Sequence, residues 1–140
     1  MSKGNLKSVS GDSGKKIAIS PDTTEEVDIK HPVFCFRYLN KKYHIKKCTE
    51  KEQLSLLDRL QLLSEKTWKD IQFADKHSFG TEKIKQTSIK AGIPTHLAKD
   101  VDFYAFRFDG KKPMVGFRNA KAFFVFHVVY LDRDFTLYDH

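Results

Sequence analysis

Imidazole, phenol and guanidinium side chains interrupt an otherwise apolar segment that covers residues 103–140. Histidine can exchange protons near neutral pH, because an unperturbed imidazole titrates in that range. Arginine presents paired N–H donors that match the oxygens of a phosphate group. These residue types together predict proton transfer beside a bound phosphate. The candidates for proton transfer or positioning are His127, Tyr138 and His140, and the candidates for phosphate binding are Arg107, Arg118, Lys111 and Lys112.

Two of these candidates also have structural explanations. The sequence alternation places His127 and Arg107 on strand faces that are otherwise apolar. A polar group buried on such a face is costly unless it is hydrogen-bonded, so each must find partners or open onto a pocket or a surface. The alternatives are that His127 is a core histidine with satisfied nitrogens and that Tyr138 is an aromatic residue of an edge strand.

The candidates lie on a predicted antiparallel meander. Apolar alternation predicts strands over residues 103–108, 113–118 and 123–131, and a last strand near residues 135–138. The strand over 123–131 is apolar on both faces, which indicates that it is covered on both sides. The candidate side chains could then share one basic face of a sheet whose other face is backed by a helix.

A β-hairpin is predicted ahead of the helices. Residues 32–38 alternate in the manner of a strand, residues 39–42 form a polar turn, and residues 43–48 return as a second strand. This hairpin would add two antiparallel strands to the sheet.

Helices are predicted between the hairpin and the meander. Thr49 and Glu52 have the spacing of a capping box, in which each side chain accepts a backbone N–H of the other residue. Leucines at helical spacing continue to Ile71, which predicts one long amphipathic helix or two shorter helices broken near Ser64. Residues 81–91 predict a short basic helix that a glycine and a proline terminate.

These elements predict an α+β fold for residues 31–140, which form a single domain. The expected architecture is a twisted antiparallel sheet, built from the N-terminal hairpin and the C-terminal meander, with two or three helices packed on one face. Residues 1–30 are rich in small and polar residues and predict a flexible N-terminal tail, in which residues 16–19 could form an added strand.

The charge distribution favours a polyanionic partner. The net charge is +7, and residues 1–30 hold five lysines against five acidic residues, so the excess belongs to residues 31–140. Such a domain suits nucleic acid, the ribosome or an acidic protein, although lysine can also serve only to keep a phenylalanine-rich domain soluble. Neither a membrane span nor a signal peptide is recognisable, so we expect a cytoplasmic protein with no membrane partner.

No metal or cofactor is expected from the sequence. Cys35 and Cys48 lack the spacing of a zinc motif and are expected to be free thiols. The four glycines after residue 31 are too far apart to form a phosphate-binding loop.

The order of hairpin, helices and meander, together with the polar residues of the meander, resembles the RelE/ParE-like toxin superfamily over residues 31–140. Arg107 and Arg118 lie where that family keeps strand arginines, and residues 127–130 (His-Val-Val-Tyr) resemble one of its strands. Tyr138 and His140 resemble its C-terminal catalytic pair. The resemblance implies helices on one sheet face, RNA or ribosome binding on the other face, metal-independent endoribonuclease activity, and a protein antitoxin as partner.

The chain departs from that pattern in two respects. The family begins with one strand and two helices, whereas two strands are predicted here, and the meander contains no glutamate that could act as a general base. The alternative function is a non-catalytic accessory protein of a phage or mobile element that binds protein or nucleic acid.

Overall fold

The computed structural model describes residues 29–140. Most of the predicted flexible tail, including the possible strand at residues 16–19, lies outside the described residues. Five strands and two α-helices form the described part: β1 (Val33–Cys35), α1 (Glu50–Ser64), α2 (Trp68–Phe73), β2 (Glu82–Ile84), β3 (Phe103–Asp109), β4 (Lys112–Arg118) and β5 (Val125–Leu131).

The five strands form one mixed sheet in the order β1-β5-β4-β3-β2. Strands β2 to β5 pair antiparallel, but β1 pairs parallel to β5, with Val33 opposite Val125. The predicted α+β class is therefore confirmed, and the prediction of an entirely antiparallel sheet is wrong. None of the helices within residues 29–140 has the length and apolar character needed to cross a bilayer.

The predicted N-terminal hairpin does not form. Residues 43–48 contain a 3-10 helix, Ile45–Lys47, in place of the second strand. Its backbone groups are satisfied locally, because the N–H of Lys46 donates to the His44 imidazole and the N–H of Cys48 donates to the carbonyl of Ile45. These local hydrogen bonds remove the groups that a strand ladder would need.

The helical region follows the two-helix prediction. The Thr49 hydroxyl accepts the N–H of Glu52 at 3.1 Å, and the Glu52 carboxylate accepts the N–H of Thr49 at 2.7 Å, which completes the predicted capping box. The chain leaves the helix after Ser64, and a second capping box, formed by Thr67 and Asp70, starts α2. Thr67 is thus the N-cap of α2.

We expect Thr49→Ala to lower the free energy of unfolding by about 1 kcal/mol, because it leaves a first-turn N–H without its acceptor. Urea denaturation measures the change. Thr95→Ala is the control, since Thr95 is exposed and makes no side-chain hydrogen bond within residues 29–140. Equal effects of the two substitutions would contradict the assigned role of the cap.

Two further predicted elements differ in the structure. Residues 81–91 form β2 and a 3-10 helix, Gln86–Ser88, in place of a helix, because Glu82 pairs with Ala105 on the edge of β3. The predicted strand near residues 135–138 is a turn. The buried Asp132 carboxylate bends the chain there by accepting the N–H groups of Thr136 and Leu137.

Both faces of the sheet are covered. On the helix face, leucine and isoleucine side chains of α1 and α2 pack against Phe106, Met114 and Phe126. On the opposite face, residues from the irregular segment 85–101 pack against Phe103 and Val129. The RNA-binding face that the resemblance implied is therefore largely buried, although its end beside β2 and β3 borders an open cleft.

Both cysteines are free. Cys48 is buried in the helix-face core and Cys35 is partly exposed on the edge strand β1. Burial, more than the nearby Glu52 carboxylate, raises the pKa of the Cys48 thiol, so this group remains protonated near neutral pH.

Candidate functional site

A cleft of about 400 Å³ opens at the end of the sheet where β2 and β3 meet the segment 135–140. Residues of β3 line it on one side, and residues of the segment after Asp132 line it on another. We call this the terminal cleft. Its lining residues are Lys76, Glu82, Ala105, Phe106, Arg107, Lys111, Pro113, Phe135, Tyr138, Asp139 and His140.

Four of the seven predicted site residues meet in the terminal cleft. They come from three separate places, which are strand β3, the turn that follows it and the segment after β5, so the fold and not sequence proximity brings them together. The four are Arg107, Lys111, Tyr138 and His140. The other three, Lys112, Arg118 and His127, lie elsewhere.

Arg107 and Lys111 supply positive charge to the terminal cleft. Arg107 projects from the face of β3 opposite the helices, as the alternation of its strand predicts, and pairs with Pro113 across the sheet. Within residues 29–140 neither side chain makes an ion pair at 4.0 Å or less. The paired N–H donors of Arg107 are therefore available to an anionic ligand.

Tyr138 remains a neutral phenol in the terminal cleft. Burial, and then the nearby carboxylates of Glu82 and Asp132, raise the pKa of Tyr138 to about 12, although Arg107 opposes the shift. A phenol with this pKa does not act as a base near neutral pH. Tyr138 can instead donate a hydrogen bond or stack on a ring.

His140 lies between an aromatic pair and a buried acid. Its ring packs on Tyr138 at 4.1 Å between centroids and meets Phe135 edge-on at 5.3 Å. Its Nε2 lies 3.5 Å from the Asp132 carboxylate, and the His140 side chain is 32% exposed. Because the turn fixes Asp132, the acid can hold the imidazole in place.

Glu82 is a functional candidate that the sequence analysis missed. Its carboxylate lines the terminal cleft, and its effect on the pKa of Tyr138 places it near that phenol. The sequence showed no glutamate in the meander that could act as a general base, and residues 81–91 were predicted as a helix. Strand β2 instead adds Glu82 to the edge of the sheet beside Ala105. The only sequence signal was the apolar Ile84, too little to indicate a strand.

His127 does not belong to the terminal cleft. It is 6% exposed and lies opposite Phe117, whereas Arg107 lies opposite Pro113. The two positions are four residues apart along the strands and two strand spacings apart across the sheet. This separation gives a Cα–Cα distance of roughly 16 Å. His127 is therefore a buried residue that does not share a site with His140, and only one of its two ring nitrogens, Nε2, has a hydrogen-bond partner within residues 29–140.

Asn119 fixes the tautomer of His127. The Oδ1 of Asn119 accepts the N–H groups of Lys121 and Ala122, so its Nδ2 donates to the Nε2 of His127 at 3.1 Å. The Nδ1 of His127 then carries the hydrogen and has no partner within residues 29–140. Burial, followed by the neighbouring side chains of His96 and Arg37, lowers the pKa of His127 and favours its neutral form.

Lys112 and Arg118 are engaged in contacts on the helix side of the sheet. The Lys112 ammonium donates to Glu52 at 2.8 Å and to Asp109 at 3.3 Å. The Arg118 guanidinium stacks between Trp68 and Phe123, at 3.9 and 3.7 Å from their ring centroids. Their predicted role in phosphate binding stays a prediction, and neither lies on the terminal cleft.

Within residues 29–140, no group of three or more His, Cys, Asp or Glu side chains is arranged to hold a metal ion. No protein-family model matches the chain, and no curated protein or solved structure is detectably similar to it. The geometry of the terminal cleft therefore carries the functional conclusion.

Proposed function

We propose that the protein binds RNA in the terminal cleft and cleaves it as a metal-independent endoribonuclease. The observation that supports this most is the meeting of Arg107, Lys111, Tyr138 and His140 around one cleft, with Asp132 behind the imidazole. Proton-transfer groups and unpaired cations are the two components that RNA transesterification needs.

Positive charge favours binding of the RNA backbone. The chain carries a net charge of +7, and Lys76, Arg107 and Lys111 of the terminal cleft make no ion pair within the described residues. Such cations release counterions from phosphates when they bind, which gives affinity that falls as the salt concentration rises. Arg107 can hold one phosphate through two N–H donors, and Lys76 and Lys111 add charge at the rim.

The proposed reaction is attack of a ribose 2′-hydroxyl on the adjacent phosphorus. The O2′–P bond forms and the P–O5′ bond breaks, which leaves a 2′,3′-cyclic phosphate and a 5′-hydroxyl. The Glu82 carboxylate takes the proton of the 2′-hydroxyl, and the His140 imidazolium gives a proton to the departing O5′. Arg107 stabilises the negative charge that accumulates on the phosphoryl oxygens. Charge stabilisation by a guanidinium requires no metal ion.

Cleavage of RNA in the presence of EDTA tests the proposal. We expect the wild type to produce 2′,3′-cyclic phosphate ends, and Arg107→Ala to lower kcat/KM by about 10- to 100-fold because a charge-assisted phosphate contact is lost. Arg37→Ala is the matched control, since Arg37 is exposed and lies outside the terminal cleft.

Two results would contradict the proposal. One is equal activity of the wild type and Arg107→Ala. The other is RNA binding by the wild type without cleavage, which would favour the non-catalytic accessory protein instead. The antitoxin partner and the ribosome target that the resemblance implied stay predictions.

A further inference from the structure

A second hollow lies on the far side of the turn that carries Asp132. It has a volume of about 310 Å³ and is lined by Lys42, Tyr43, Lys47, Leu131, Asp132, Arg133, Asp134 and Thr136. Asp132 contacts His140 on one side of the turn and lines this hollow on the other. The turn at residues 132–137 is therefore a ridge between the terminal cleft and this basic hollow.

Phe135 stands on the ridge in an unusual backbone conformation. Its φ is 57°, and it is the one residue other than glycine with a positive φ within residues 29–140. This region is sterically unfavourable for a bulky side chain, and such strain persists where surrounding structure enforces it, often at binding sites. Asp132 enforces it here, because its carboxylate holds the N–H groups of the two residues that follow Phe135.

The ring of Phe135 is available to a ligand. The residue is 43% exposed, and its ring forms part of the terminal cleft, where it meets His140 edge-on. A hydrophobic residue that served only to close the turn would gain more by burial. An exposed aromatic face beside a proton-transfer group is suited to stacking on a nucleobase.

The basic hollow contains lysine side chains that are available to an anionic ligand. Lys42 and Lys47 are exposed and form no ion pair within the described part of the chain. The acids nearby are already engaged, because Asp132 binds backbone N–H groups and Asp134 lies 3.7 Å from Arg133. Lys41 and Lys46 extend the same positive loop. The hollow can therefore bind a phosphate without first breaking an internal ion pair.

We propose that the ridge is a nucleotide subsite for single-stranded RNA. An unpaired base stacks on Phe135, and the phosphate beyond it binds Lys42 and Lys47, while the next phosphate lies in the terminal cleft. A base inside a duplex is already stacked and paired, so it cannot reach the ring. This inference rests on RNA being the ligand of the terminal cleft, and it names which form of RNA is bound.

Replacement of Phe135 by glycine separates a binding role from a structural one. Glycine adopts a positive φ without strain, so Phe135→Gly should leave the melting temperature unchanged or higher. Loss of the ring should weaken single-strand binding about tenfold, since stacking of one base on an aromatic ring contributes about 1–3 kcal/mol. Phe135→Trp should bind within about threefold of the wild type. Phe73→Ala is the control, because Phe73 is an aromatic residue that is more exposed than Phe135 and lies outside both the terminal cleft and the basic hollow.

The probe is a fluorescein-labelled 2′-O-methyl oligouridine of about ten nucleotides. Its binding is measured by fluorescence anisotropy, once as the single strand and once as the duplex with its complement. The methyl groups block cleavage, so the result does not depend on whether the protein is an enzyme. We expect the single strand to bind more tightly than the duplex, and only single-strand binding to weaken in Phe135→Gly. Equal loss of single-strand and duplex binding, or wild-type binding by Phe135→Gly, would overturn the inference.

The phosphate contact is tested separately. We expect Lys42→Gln with Lys47→Gln to reduce the slope of log affinity against log salt by about 1 to 2, since the slope counts the phosphates neutralised. Lys66→Gln with Lys69→Gln removes the same charge from a different surface and should change the slope less. Equal slopes for the two double variants would place the phosphate outside the basic hollow.

Discussion

His140→Gln is expected to lower the rate constant of RNA cleavage by about 10²- to 10⁴-fold, the range that a positioned proton-transfer group contributes. Glutamine keeps a polar side chain of similar reach but cannot give up a proton. Because the His140 side chain is one-third exposed and touches the fold through Asp132 and Tyr138, the melting temperature should change little. Single-turnover cleavage and a thermal melt measure the two effects.

His127→Gln is the matched control for the loss of an imidazole. His127 is buried beside Asn119, roughly 16 Å from Arg107 by strand geometry, so its loss should reduce stability and leave cleavage by the folded protein close to that of the wild type. If His127→Gln abolished cleavage while His140→Gln did not, the catalytic assignment would move to the other histidine.

A substrate with sulfur in place of the bridging O5′ distinguishes the acid from the base. A thiolate leaves without protonation, so this linkage should restore most of the activity that His140→Gln loses. Glu82→Gln should stay slow on the same substrate, because the 2′-hydroxyl still needs a base. Rescue of Glu82→Gln and not of His140→Gln would reverse the two roles.

The parts of the fold that local physics determines could be predicted from the sequence. Strands β3, β4 and β5 follow from the apolar character of their own segments, and the start of α1 follows from the Thr49 and Glu52 spacing. Arg107 was assigned to the correct sheet face for the same reason. Each of these elements depends mainly on residues close to it in the chain.

The parts that depend on distant partners could not be predicted. Strand β2 is three residues long and forms because its backbone pairs with the edge of β3. Its sequence is too short to show the alternation of apolar and polar residues that predicts a strand. The parallel pairing of β1 depends likewise on β5. The ridge at Phe135 depends on the carboxylate of Asp132, which accepts backbone N–H groups there. In the sequence, Asp132 is simply one of several charged residues of a turn. Glu82 and Phe135 were missed at the site for these reasons.

One buried acid, Glu52, ties helix α1 to the ridge. Its side chain is 4% exposed and accepts hydrogen bonds at 2.8 Å from both Lys112 and Arg133, in addition to the N–H of Thr49. Burial alone raises the pKa of Glu52, but the hydrogen bonds from Lys112, Thr49 and Arg133 outweigh it and lower the pKa to about 2. Arg133 follows Asp132 directly, so this ion pair also anchors the turn that carries the site.

Glu52→Gln is expected to lower the free energy of unfolding at neutral pH by about 2–3 kcal/mol. The folded pKa is about 2 and the ordinary value is 4.5, and each unit is worth about 1.4 kcal/mol. The expected loss is smaller than the pKa difference multiplied by this free energy per unit, because the side chains of Lys112 and Arg133 are about 30% exposed and screened by water. Urea denaturation measures the loss, with Glu50→Gln, an exposed acid of the same first turn, as control.

The loss of stability caused by Glu52→Gln should depend on pH. Because folding depresses the pKa of Glu52, the ionised carboxylate stabilises the fold fully above about pH 4.5, and that stabilisation is lost as the pH falls toward 2. The stability difference between the wild type and Glu52→Gln should therefore shrink on acidification, whereas Glu50→Gln should differ little from the wild type at neutral pH. A difference that stayed constant between pH about 6 and about 3 would show that the amide disturbs packing and not the ion pair. Should cleavage also fall in Glu52→Gln, the loss would show that the Arg133 anchor helps to hold Asp132 behind His140.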